Sequence, residues 1–146
     1  MKLTVDRVFK LAPKITAILN ERRMLPLKGT YRLTRLHAKL LPEYQIIAAR
    51  RDEVILSYGY KGRPGGLPDA MDADVQPLVD MVPPDKEDEF RAFWTAFGAE
   101  TIEVDVEPIP FSQLDLGPNV PAQLSGMELE LLGDLIVDDG EQAKAA

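Results

Sequence analysis

The 146-residue chain has no cysteine and a single histidine. Without thiols it forms no disulfide, offers no thiolate to a metal and has no cysteine nucleophile. His37 is the only imidazole, so a histidine-based metal site has one ring to draw on. A serine triad would need His37 to meet a distant serine and carboxylate, and no nucleophile-elbow motif surrounds any serine. No apolar run approaches the ~20 residues of a membrane helix. Residues 1–6 have no apolar stretch after their charge, which predicts no secretory signal and makes the cytoplasm the expected place of synthesis. The glycines are clustered, but no Gly-Lys-Ser/Thr follows Gly62, Gly65 or Gly66. Lys28-Gly29-Thr30 holds some of those residue types in the wrong arrangement for a phosphate loop. No internal repeat and no long low-complexity segment is present.

What the chain does have is charge sorted along its length. Residues 1–65 carry fourteen Lys/Arg and five Asp/Glu, and residues 66–146 carry three and nineteen, so the halves are +9 and −16 against a net −7. Such a split predicts either internal pairing or two faces for different partners. The 45% hydrophobic and 28% charged fractions are those of an ordinary globular domain, and the length suits one domain.

Four parts are expected within that domain: a basic helical part over 1–60, an exposed Gly/Pro loop over 61–68, an acidic mixed part over 69–137 and a polar tail over 138–146. Leu11, Ile15, Ile18 and Leu19 recur at helical spacing, and Pro13 places the helix start near Ala12 after a short turn or strand. Arg22 and Arg23 fall where cations suit a helix end. A second helix begins near Leu27 or Lys28 and runs towards Tyr58. Its apolar stripe is Leu33, Leu36, Leu40, Tyr44 and Ile47, Pro42 kinks it, and Ile46, Val54 and Ile55 add core candidates. Beyond the loop, residues 75–82 suit a short edge strand. Acidic residues at 85–89 open a helix with Phe90, Phe93, Trp94 and Phe97 on one core-facing side. Ile102, Val104 and Val106 alternate with Glu103, Asp105 and Glu107 as in a strand. Ser125 and Glu128 have capping-box spacing before a final apolar helix. The fold class is α+β: an N-terminal helical hairpin with a small antiparallel sheet and short covering helices.

Two surfaces stand out as candidates for binding a partner. Lys28, Arg32, Arg35 and Lys39 form a basic stripe beside the apolar stripe of the second helix. Glu103, Asp105 and Glu107 form a wholly acidic strand face. The stripe suits phosphates or an acidic protein surface, and the absence of interleaved aromatics weighs against single-stranded nucleic acid. Asp69, Asp72 and Asp74 match a calcium loop only in part and lack its turn glycine, so they read as an acidic loop with no metal. Abundant carboxylates make any close pair unspecific. No catalytic residue and no cofactor is expected.

The order of segments resembles a group of short phage- and prophage-encoded proteins without an assigned biochemical activity. The likeness is carried by Leu11-Ala12-Pro13, by Leu25-Pro26-Leu27-Lys28 opening the longer helix, and by Arg50-Arg51-Asp52-Glu53-Val54-Ile55-Leu56-Ser57-Tyr58-Gly59. Glu89-Phe90, Ile102-Glu103-Val104 and Ser125-Gly126-Met127-Glu128-Leu129 continue it, over roughly residues 3–137. Pro42 and the 59–68 segment depart from that pattern. The resemblance implies phage origin and a virion, assembly or accessory role, and it implies no catalytic residues. The expected function is non-enzymatic: a phage structural or assembly protein that contacts other phage structural proteins or identical copies; if identical copies stack, the basic and acidic surfaces can meet head to tail and close a ring. The alternative is a small regulator that binds a host protein or nucleic acid. No membrane partner is expected.

Overall fold

Thr4 sets where the first helix begins. Its Oγ1 accepts a hydrogen bond from the Arg7 amide at 3.2 Å, an N-cap that satisfies one of the free donors of the first turn. Helix α1 (Val5–Asn20) follows, preceded by strand β1 (Lys2–Thr4). The helix thus starts at Val5, not near Ala12, and Pro13 lies inside it. Packing outweighs the proline here: Val5, Val8, Leu11, Ala12, Ile15 and Ile18 form one buried face on both sides of Pro13, whose ring is exposed. The computed structural model describes residues 1–21, 25–62, 78–115 and 124–137, so Arg22, Arg23 and the 138–146 tail lie outside the described residues.

Helix α2 (Leu27–Ser57) is 31 residues long, roughly 46 Å at 1.5 Å per residue. Leu33, Leu36, Leu40 and Ile47 are buried against α1, as their spacing predicts, and Pro42 sits within the helix on its exposed side. Tyr44 stacks on Phe9 of α1 at 5.5 Å between ring centroids. Ile55 is buried and Val54 half-buried, but Ile46 is 64% exposed. Position 46 is one residue, about 100° of helical rotation, from Ile47, which carries it off the buried face.

The fold is the expected α+β, a packed helical hairpin with small sheets and short helices, and among the described residues the sheet structure consists of three two-stranded pairings. Strand β1 pairs antiparallel with β4 (Thr101–Glu103), with Leu3 opposite Ile102. Strand β2 (Lys61–Gly62) pairs antiparallel with β3 (Val79–Asp80). Strand β5 (Ile109–Pro110) pairs with β6 (Ile136–Val137), and that pair is parallel. Two residues at the start of the expected 61–68 loop are therefore strand. The remainder of that loop, 63–68, and residues 75–77 of the expected edge strand lie outside the described residues.

Helix α3 (Glu87–Gly98) follows a 3-10 turn over Pro84–Lys86 and carries Glu87, Asp88 and Glu89 in its first turn. Its aromatic side is not fully enclosed: Phe90, Phe93, Trp94 and Phe97 are all half-buried and pack on one another, with Trp94 edge-on to Phe9 at 4.9 Å. Trp94 and Phe97 reach the core and Gly98 is the one buried residue of the helix. Arg50 lies over the Phe93 ring at 5.9 Å and shields it.

The capping box at Ser125 is present, and helix α4 (Gly126–Leu132) begins there. The Glu128 amide donates to Ser125 Oγ at 3.1 Å and the Ser125 amide donates to Glu128 Oε1 at 2.9 Å. In a helix of seven residues this cap is a large share of the local order. Ser125→Ala is expected to cost about 1 kcal/mol, read from the urea midpoint at unchanged slope, and an unmoved midpoint would contradict it. The far end of α4 is held by Arg7, which donates to the Leu132 carbonyl at 2.6 Å and pairs with Asp134. Between those two partners Gly133 adopts φ +50°, a backbone that favours glycine.

Candidate interaction surface

Lys28, Arg32, Arg35 and Lys39 are spaced i, i+4, i+7 and i+11, so α2 stacks them as one ridge beside its buried face. The acidic residues come to the same side of the molecule. The β1–β4 ladder ends at Glu103, and the Val106 amide turns back to the Val104 carbonyl at 2.9 Å, a tight turn of the kind common at strand ends. The in-out alternation nevertheless continues past the ladder: Val104 is buried, Ile102 and Val106 are half-buried, and Glu103, Asp105 and Glu107 are exposed.

The two surfaces adjoin. Arg32, Arg35 and Lys39 with Leu36 form one wall of a groove of about 100 Å³, and Asp105, Val106 and Glu107 form the other. Arg32 Nη1 crosses it to Glu107 Oε2 at 3.1 Å. Part of the charge segregated along the chain is thus paired within the monomer, here and between Arg7 and Asp134. Glu103 is engaged by the Met1 amine at 3.0 Å. Lys28, Arg35, Lys39 and Asp105 carry no ion pair among the described residues. Because the Arg32–Glu107 pair is exposed, with Glu107 81% accessible, it contributes about 0–1 kcal/mol and leaves the groove a polar, wet seam.

Tyr31 belongs to this surface: it lies three residues after Lys28 and four before Arg35, at helical spacing within the stripe, so an aromatic does interleave with the cations, contrary to the expectation from sequence. It is 59% exposed, and the Arg35 guanidinium lies over its ring at 5.9 Å. Gly29 fixes the start of the ridge: α2 approaches the 3-10 turn Phe111–Gln113 so closely that a Cβ on Gly29 would lie 2.0 Å from the Gln113 carbonyl oxygen. The glycine looked like part of a failed phosphate-loop motif. Its role is to let two backbones touch.

His37 is occupied elsewhere. Its Nε2 lies 2.7 Å from Thr16 Oγ1, and the Thr16 hydroxyl donates to the Ala12 carbonyl at 3.0 Å, so Nε2–H donates to Thr16 and ties α2 to α1. Among the described residues no group of three or more His, Asp or Glu is placed to hold a metal ion, and Asp69, Asp72 and Asp74 lie outside them. No helix of the described residues is long and apolar enough to cross a membrane. Comparison with known protein families, with curated proteins and with solved structures gave no match.

Proposed function

We propose that this is a non-enzymatic phage structural or assembly protein that works by protein–protein contact, made in the host cytoplasm and carried into the assembled particle. The observation that carries this reading is the ridge of Lys28, Arg35 and Lys39 on α2, three cations with no carboxylate partner among the described residues, mounted on the longest helix among those residues. A helical ridge of one sign orients a partner and speeds its capture, while neighbouring apolar side chains such as Tyr31 hold the complex. Glu103, Asp105 and Glu107 offer the opposite sign beside it. The phage setting rests on the resemblance of segment order described above.

Two measurements test this. Mass spectrometry of purified particles is expected to find the protein at a fixed copy number. Arg35→Glu combined with Lys39→Glu is expected to lower incorporation at least tenfold while stability moves by no more than about 0.5 kcal/mol, since both side chains are solvent-exposed. Full incorporation of that variant would reject the ridge as a docking surface.

The second reading, a regulator that binds host nucleic acid, gains from Tyr31, because an exposed ring beside Arg35 is the kind of platform on which a base stacks. The −7 net charge opposes it. It requires binding to a single-stranded oligonucleotide that weakens steeply with salt and is lost on Tyr31→Ala.

A further inference from the structure

The ridge and the acidic edge were expected to meet head to tail between copies, which needs them on opposed sides of the molecule. They are neighbours, facing each other across one groove. Placing opposite signs side by side on one face has a specific consequence. A two-fold axis through the seam lays each copy's basic wall on the other's acidic wall, and the same contact is made twice. A patch of a single sign cannot do this, because it would meet itself.

We infer that a second copy of this chain docks on the face, in a closed two-fold pair, with Arg35 and Lys39 of each copy opposite Asp105 and Glu107 of the other. This deepens the protein–protein reading above and rests on it. Three features of the face favour a second copy over an unrelated partner. The charges are self-complementary about the seam. The groups left without an ion pair are of both signs, Arg35 and Lys39 on one wall and Asp105 on the other, so the monomer's own pairing through Arg32 and Glu107 does not use them up. Apolar surface lies beside the charges, with the half-buried Val106 in the groove and the exposed Tyr31 ring beside Arg35. A groove this small buries less than a standard interface of about 1,600 Å², so the pair is weak and its strength falls with salt. The screening length drops from ~30 Å at 0.01 M to ~3 Å at 1 M salt, which spans the range over which the walls sense each other.

The test is sedimentation equilibrium of the full chain at high protein concentration, with a charge-exchanged set. One variant carries Arg35→Glu and Lys39→Glu, and the other carries Asp105→Lys and Glu107→Lys. The wild type is expected to form a species of two 16.2 kDa chains at low salt that dissociates at high salt. Each variant alone is expected to be monomeric, with a dissociation constant raised at least tenfold. An equal mixture of the two is expected to recover the pair, because one contact is then rebuilt with the signs exchanged and the other is the native one. Recovery on mixing also shows that both variants fold. A wild type that stays monomeric at low salt overturns the inference, as does self-association that the variants leave unchanged, or growth into open-ended assemblies beyond two chains. If the wild type is monomeric and yet Arg35→Glu with Lys39→Glu abolishes incorporation into particles, the pair is wrong and the broader protein–protein role stands. If the pair forms and no copy is found in particles, the assembly role fails while the pair stands.

Discussion

Gly29→Ala is expected to destabilise the protein by about 3 kcal/mol, against the usual trend for a glycine within a helix. In an unobstructed helix the exchange gains up to ~1 kcal/mol, because alanine restricts the unfolded chain and favours the helical state. At Gly29 the new methyl carbon would lie 2.0 Å from the Gln113 carbonyl oxygen and 2.9 Å from its carbonyl carbon. Both obstructing atoms are backbone, so no rotamer change relieves the clash. Either the Phe111–Gln113 turn lifts off α2, exposing Leu114, which is only 6% accessible, or the first turn of α2 unwinds beneath Lys28. Gly126→Ala supplies the control. It occupies the first turn of α4, where an added Cβ meets nothing within 4 Å. There the same substitution is expected to be neutral or to stabilise by about 0.5 kcal/mol. Urea midpoints of the two variants at equal slope decide the matter, and a Gly29→Ala midpoint at or above wild type would mean that the two backbones do not touch as described.

Such contacts mark where sequence reading stops. The basic ridge was legible because it depends only on helical period: once α2 runs through residues 28–39, the spacing of Lys28, Arg32, Arg35 and Lys39 fixes their common side. The acidic face was legible for the same reason at a period of two, and survives even though the ladder stops at Glu103. The capping box at Ser125 is local over four residues and was found intact. Features that depend on distant parts of the chain were not legible. Arg7 reads as one more surface cation, and only folding brings the Leu132 carbonyl and Asp134 to it across 125 residues of sequence. Gly29 needs Gln113, Gly133 needs its φ of +50°, and Lys61 and Gly62 need Asp80 and Val79 to become a strand within a segment whose composition opposes one. Pro13 misled for a related reason. Its local cost is real, but the apolar residues flanking it are buried on the same side and hold the helix through it. The adjacency of the two charged surfaces belongs to this class as well. Each could be drawn from its own segment, but their shared groove is tertiary, and it is what led us to propose a two-fold contact in place of a head-to-tail one.

Leu33→Ala is expected to cost 2–5 kcal/mol, with a value near 3 as the central expectation, and Leu27→Ala on the same helix is expected to change stability by less than about 0.5 kcal/mol. Leu33 is 0% exposed in the single core cluster, where α2 packs on the α1 face that holds Val8, Leu11 and Ile15. Removing its isobutyl group loses the transfer term and leaves a cavity whose walls come from two long helices. A void there collapses only if one helix shifts along the other, and the His37–Thr16 bond resists that shift. Leu27 is 85% exposed at the first residue of α2, so its truncation removes little buried surface. The contrast bears on the proposed role because the cations of the ridge keep their common side only while α2 is helical and packed on α1. Leu33→Ala should therefore weaken partner binding in proportion to the fraction unfolded, and should recover it fully on cooling towards the temperature of maximum stability. Arg35→Glu with Lys39→Glu should weaken binding at every temperature. A Leu33→Ala protein that melts like wild type would show that the α1–α2 interface is not the element on which the ridge depends.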